Sequence, residues 1–472
     1  MTIASSVPSR SWRALALLVA GAFFMENLDG TIIVTATDRM ARSFHVPAAD
    51  LNVTIAAYLL TLGVLIPVSG WVADRFGTRT VFATAITIFT TASALCALST
   101  SLEELTATRV LQGLGGAMMV PVGRLVVLRA SEKRDLIKAI AYLTWPALAA
   151  PVIAPAVGGV LTTYASWRWI FIINLPLGAI ALYVTIRTVP NMREAERTAL
   201  DWRGFLLTGA GLATFVGGIE GATDGATWGL ALAAVSAGAV LIVVAVAQLR
   251  RTQKPLLDLS LFSLPTFRVT NAGGSCFRMA IGAAPFLLPL LFQEAFGWSA
   301  FKAGLIVVPL FLGNIGIKPL TTPILHRFKF KTVLVTSCVA AAATLALCAT
   351  FTATTPLVLV VVVLVLSGTF RSIGFTAFNT IVFADVPQER MSSANTLTST
   401  VQQLTMGLGV AVGALALSAG GPIARALGGT GTGRAPFVVA FALVACLPLL
   451  AAAESVSLER RAGSALTARE AG

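Results

Sequence analysis

Two carboxylates, Glu26 and Asp29, stand three residues apart inside an apolar run that holds no other acid. On a helix that spacing puts both on one face. A second apolar run carries Arg109. A charge at the centre of a bilayer costs at least about 2.5–3.5 kcal/mol on insertion scales, so groups of this kind mark function or a specific pairing. The chemistry open to them is reversible protonation. Desolvation and a like-charged neighbour favour the neutral acid, whereas a guanidinium favours the carboxylate. Carrying an aspartic acid from about 3.9 to near 7 takes about 4 kcal/mol of differential stabilisation. We read Asp29 as the main proton carrier, Glu26 as its coupled partner and Arg109 as the modulator. The other reading is a static buried salt bridge that specifies packing.

Depth permits the pair. Asp29 lies about eight residues before the outer end of its run and Arg109 about five after the outer end of another, a difference of less than one turn. Four more cations fall inside apolar runs: Arg124, Arg278, Lys318 and Arg371. Arg124 and Lys318 are near enough to inner ends to snorkel, Arg371 less easily. Arg278, near the centre of its run, is the candidate for meeting substrate charge, with a structural pairing as the alternative. Trp145, Tyr58, Asn27 and Phe286 are candidates for stacking and hydrogen bonding to substrate, although aromatics in membrane helices also serve packing. The later apolar runs contain no Asp or Glu, which favours neutral, zwitterionic or weakly anionic amphipathic compounds over dications.

The elements that must hold these groups are membrane helices. Of the 472 residues, 56% are hydrophobic and 12% charged, against about 25% charged in soluble domains, which excludes a soluble globular protein. Apolar runs of about twenty residues, each able to cross a hydrocarbon core of about 30 Å, recur along the chain. Fourteen helices are expected, near 14–37, 51–72, 80–99, 104–127, 137–162, 169–188, 204–222, 229–249, 269–292, 302–324, 332–352, 356–380, 393–419 and 435–453. Gly and Pro sit inside continuous apolar runs, which argues against a barrel of short alternating strands. The run after Arg10 and Arg13 passes through Glu26 and Asp29 without a cleavage site, so we read it as an uncleaved first span.

Net charge is +13, yet the basic residues are spread through short loops rather than gathered into a nucleic-acid footprint. With a cytoplasmic N-terminus, 23 of the 34 Lys and Arg fall on inside segments and six on outside ones, as expected of an even number of spans with both termini inside. Five cysteines without a Cys-x-x-Cys pair and two histidines support neither a disulfide framework nor a metal site. No phosphate-binding loop is present, and no catalytic constellation marks an enzyme.

A weak internal repeat lays Asp74-Arg-Phe-Gly-Thr-Arg-Thr-Val81 over His326-Arg-Phe-Lys-Phe-Lys-Thr-Val333. The two loops are eight helices apart, where a six-plus-six duplication needs six, so two extra helices lie between the halves. The expected organisation is a bundle at 1–188, two linker helices with cytoplasmic flanks at 189–268, a second bundle at 269–453 and a cytoplasmic tail at 454–472.

The inside turn Gly70-Trp-Val-Ala-Asp74-Arg75-Phe-Gly77-Thr-Arg79 combines two glycines for a tight reversal with a carboxylate and two guanidiniums that can exchange ion pairs between conformations. It resembles the signature loop of the major facilitator superfamily, departing at Val72 and Thr78. Leu28-Asp29-Gly-Thr31, Arg109-Val-Leu-Gln112-Gly113-Leu-Gly115-Gly116, Ser166-Trp-Arg-Trp-Ile-Phe171, Asn174-Leu-Pro176 and Asp201-Trp202-Arg-Gly204 together look like the fourteen-helix drug:proton antiporters of that superfamily. The segment Gly116 to Arg124 is similar to their MdtD-type multidrug branch. The fifth run carries Pro151, Pro155, Gly158 and Gly159, which resembles the family's antiporter motif, with Ala147, Ala150 and Ala154 where glycine is usual.

The resemblance implies an all-α membrane protein of the major facilitator fold, two six-helix pseudo-repeat bundles with two extra central helices. It implies a monomeric proton-coupled efflux antiporter of the cytoplasmic membrane, without a cofactor, whose partners are an amphipathic small molecule, protons and the bilayer. The Gly70, Asp74, Arg75, Gly77 and Arg79 loop would be its conformational gate. One proton moving inward under 100 mV and one pH unit releases about 3.7 kcal/mol, enough for a gradient of about several hundredfold if one proton drives one neutral molecule. Proton-coupled uptake of an anionic molecule and a non-transporting membrane sensor are the alternatives.

Overall fold

A turn of capped backbone sets the depth of Arg109. Ser101 accepts from the backbone N–H of Glu104 at 3.2 Å, while the Glu104 carboxylate reaches back to the Thr100 N–H at 2.8 Å. This reciprocal cap starts a 29-residue helix at Leu102 and carries Arg109 about two turns into it. The computed structural model describes residues 11–194, 199–221, 228–428, 431–459 and 461–467. Among these every regular element is helical.

Counting the short tight turns that continue them, the helical segments are α1 Trp12–Phe44, α2 Asn52–Phe76, α3 Thr78–Leu98, α4 Leu102–Ala130, α5 Lys133–Tyr164 and α6 Trp169–Thr188. Then come α7 Trp202–Gly221, α8 Gly229–Arg251, α9 Pro265–Ala295, and α10, made of Lys302–Gly316 and Lys318–Arg327. The last four are α11 Phe330–Thr350, α12 Leu357–Ile381, α13 Gln388–Ala426 and α14 Ala435–Val456. They match the expected helices one for one. Among the described residues twelve are long and apolar enough to cross a membrane, and α10, bent by 47° at its break, makes thirteen. The twenty-residue α7 is the remaining segment.

The chain gathers into two compact units. The first takes the described residues of 1–132, 142–259 and 387–400, and the second those of 133–141, 260–386 and 401–472. In the first, Leu28, Ile32, Leu105, Ala150, Trp167 and Phe171 pack a core around α1, α4, α5 and α6. The pair α7 and α8 belongs to this unit and is antiparallel, because Gly218 abuts Val235, Gly238 abuts Phe215 and Gly211 abuts Ile242. In the second unit, Leu287, Phe292, Leu345, Leu364 and Phe441 join α9, α10, α11, α12 and α14 in one apolar core. The stretch after α14 packs back on this unit: Leu458 and Leu466 are buried, and Lys331 Nζ donates to the Leu458 carbonyl at 2.9 Å.

Candidate functional site

Asp29 is 1% exposed and Arg109 is fully buried, and their side chains meet at 2.6 Å between Oδ2 and Nη1. The acid is surrounded by donors. Oδ1 accepts from Gln112 Nε2 at 2.9 Å and from Asn174 Nδ2 at 2.8 Å. Gln112 turns its Oε1 to the same Arg109 Nη1 at 2.6 Å. Ser93 Oγ ties the two amides together, accepting from Gln112 at 2.7 Å and Asn174 at 3.2 Å. Four helices of the first unit thus converge on one carboxylate: α1 supplies it, α4 the guanidinium and Gln112, α6 Asn174, and α3 Ser93.

A fifth helix, α2, covers the cation. The Tyr58 ring lies with its centroid 4.1 Å from Arg109 Cζ, a cation–π arrangement in a dry environment. Glu26 stands about one turn from Asp29 on α1. Its Oε2 and the Tyr58 hydroxyl are both buried and have no hydrogen-bond partner. Both converge on Gly116 of α4: a Cβ there would lie 3.4 Å from the Tyr58 hydroxyl and 3.5 Å from Glu26 Cδ. Both carboxylates therefore face into the unit. All three contacts to Asp29 are hydrogen-bond donors, the partners that an acceptor carboxylate takes.

The turn after α2 is braced in the same unit. Gly77 adopts φ +96°, a left-handed conformation open to glycine, and closes the turn between α2 and α3. Asp74 Oδ1 accepts from Arg129 Nη2 at 2.8 Å, and Arg129 also lies 3.6 Å from Glu194. The stretch after α6 is strapped along the turn: the Glu194 N–H donates to the Asp74 carbonyl at 3.0 Å and the Thr78 N–H to the Met192 carbonyl at 3.0 Å. Arg75 lies over the Trp71 ring, Arg79 is exposed, and Gly70 abuts Ser392 and Thr396 in the first turns of α13. In α5, Ala150, Ala154 and Gly158 form a stripe of small residues at helical spacing, with Gly158 against Ile32 and Thr35 of α1. Pro151 is half-buried, Pro155 is exposed, Gly159 faces open space, and the Ala147 side chain lies outside the described residues.

The residues singled out for substrate have different surroundings in the structure. Tyr58 belongs to the Asp29 network. Asn27 donates to the Phe23 carbonyl of its own helix at 2.8 Å, and Trp145 is 50% exposed. In the second unit Phe286 packs against the apolar core, and the buried Arg278 donates from Nη1 to the Thr270 carbonyl at 3.0 Å. Sequence reasoning did not assign roles to Gln112, Asn174, Ser93, Arg129 and Glu194. A signal existed for Gln112, which follows Arg109 by three residues and shares its helix face.

A many-helix membrane bundle with a buried carboxylate at mid-span, held by three donors, is the build of a transporter. The chain belongs to the Major Facilitator Superfamily, whose sequence profile matches residues 18–410. It is 39% identical over 406 residues to a protein of Cronobacter sakazakii provisionally designated multidrug resistance protein MdtD, covering 86% of each chain. An Escherichia fergusonii protein with the same designation is 37% identical over 401 residues, 85% of each chain. Among solved structures it is similar in fold to the human organic anion transporter MFSD10, with a TM-score of 0.67 and 14% identity over 95% of this chain and 100% of that one. The proton:xylose symporter XylE gives a TM-score of 0.65 at 14% identity, over 97% of this chain and 98% of that one.

Proposed function

We propose that this chain is a proton-coupled antiporter that exports amphipathic small molecules across the cytoplasmic membrane by alternating access. The observation that carries the reading is the Asp29 network: one carboxylate, three donors from two other helices, and a second carboxylate a turn away whose Oε2 has no partner. The designation of the 37–39% identical relatives supports efflux of drugs.

Protonation of Asp29 removes the counter-charge of a fully buried guanidinium, and leaving one member of such a pair alone costs about 3–5 kcal/mol. The bundle has two ways to avoid that cost: Glu26 takes over Arg109, or the helices rearrange so that Arg109 finds water or substrate. Either route ties proton uptake to a change of conformation. The Asp74 and Arg129 contact would stabilise one of the conformations, and the small-residue stripe on α5 would let α1 and α5 shift against each other at close range.

The test is flux in proteoliposomes with pH and voltage imposed separately. Asp29→Asn is expected to reduce proton-driven export at least tenfold while leaving substrate binding measurable. Export that still follows the proton gradient in Asp29→Asn removes the assignment.

A further inference from the structure

The second unit holds a cation with an open coordination edge. Arg371 lies in the middle of α12, about 20 Å along the helix from its outer end and about 15 Å from its inner end. Its side chain is 9% exposed. Nη2 donates to the Ile281 carbonyl of α9. That carbonyl is available for a chemical reason: four residues on stands Pro285, inside the helix and without an N–H, so the usual intrahelical donor is missing. The guanidinium is thereby pinned at one end. At the other, Nη1 is buried and has no hydrogen-bond partner.

No carboxylate of this part of the chain is placed to meet it. Between Asp258 and Glu454 the only acids are Glu294, Asp385 and Glu389. Glu294 lies in the turn that ends α9, thirteen residues beyond Ile281, or about 20 Å along the helix, and the other two follow the inner end of α12. A buried guanidinium with free N–H donors is satisfied best by a planar anion that takes two of them.

We propose that Arg371 is the anion-recognising residue of this transporter, taking the carboxylate or sulfonate head of an amphipathic substrate on its Nη1 edge while the Ile281 carbonyl holds Nη2. The proposal rests on the transport reading above and narrows its substrate class to amphipathic monoanions. The pinned fork is preorganised, so less side-chain entropy is lost when the anion arrives. Pro285 is a positioning residue, because it frees the carbonyl that orients the fork.

The experiment is equilibrium binding to purified full-length protein, followed by energy transfer from its tryptophans to dansyl-labelled amino acids and to the corresponding uncharged carboxamides. The expected result is at least tenfold tighter binding of acids than of amides. Arg371→Gln should abolish that preference, bringing acid affinity down to that of the amides. Arg371→Lys, which keeps the charge without the fork, should retain part of it. Pro285→Ala, which returns an N–H to Ile281 and leaves Arg371 in place, should reduce the preference without touching amide binding. These two variants keep the test alive should Arg371→Gln not fold.

Equal binding of acids and amides by the unmodified protein, no binding of any acid in the panel, or the same preference in Arg371→Gln overturns the proposal. The readout needs no gradient, so it is separable from the coupling assignment. Proton-driven export surviving in Asp29→Asn sinks the coupling and leaves the anion preference standing. Loss of the preference with intact coupling does the reverse.

Discussion

At the scale of single residues, the ionised partners were easier to read than the neutral ones around them. Asp29 and Arg109 stand out in apolar runs because a charge there is costly, and the cost itself points to a partner. The amides carry no such mark. Asn27 and Asn174 both sit in apolar runs, yet Asn27 bonds to its own helix at Phe23 and Asn174 crosses to Asp29. Only the packing of α6 against α1 and α3 distinguishes them. The consequence is testable. Asn174→Leu leaves Asp29 Oδ1 with one donor in place of two, and losing a buried hydrogen bond to a charged group costs about 1.5–3 kcal/mol. A lower thermal midpoint and a severalfold loss of proton-driven export are expected, with Asn27→Leu close to unmodified protein by both measures. Equal effects from the two substitutions would show that the network does not depend on the second amide.

At the scale of elements, α3 and α4 approach so closely that their backbones touch. A Cβ on Gly115 would lie 2.7 Å from the Phe89 nitrogen of α3, with backbone rather than a flexible side chain in the way. Gly115→Val must therefore push α3 from α4, and since Ser93 stands one turn from Phe89 the movement stretches its contact with Gln112. Overpacking of this kind costs about 1–3 kcal/mol, and a matching fall in thermal stability together with loss of coupled transport is expected. Gly159→Ala on α5, where nothing lies within 4 Å, should be neutral in the same assays. The helices themselves were legible because the bilayer demands long uninterrupted apolar runs. Their interruptions were not: the range 302–324 reads as one helix, whereas α10 bends by 47° between Gly316 and Lys318, and α9 ends in a widened turn over Leu291–Ala295. Proline and glycine mark where a helix is able to bend, and the neighbours it packs against decide whether it does.

At the scale of the whole molecule, the expected inside excess of Lys and Arg makes a prediction about α7, whose described residues pass as a membrane span neither alone, as twelve segments do, nor as a bent pair, as α10 does. The interdigitation of Gly218 with Val235 and of Gly238 with Phe215 makes α7 and α8 an antiparallel pair. If both cross the bilayer, the chain before α7 and the chain after α8 emerge on the same side. If only α8 crosses, they emerge on opposite sides and every later loop reverses, placing Arg327, Lys329 and Lys331 outside against the rule that keeps basic loops in the cytoplasm. Arg193, Lys254 and Thr354 are exposed and sit in the three loops that separate these cases. In a protein whose five native cysteines are replaced, Arg193→Cys and Lys254→Cys are expected to react with a membrane-impermeant maleimide only after cells are opened, and Thr354→Cys in intact cells. Labelling of Lys254→Cys from outside, with Arg193→Cys protected, would make α7 a helix that does not span. The alternation of loop charge through the second half, and with it the placing of both termini in the cytoplasm, would then have to be abandoned.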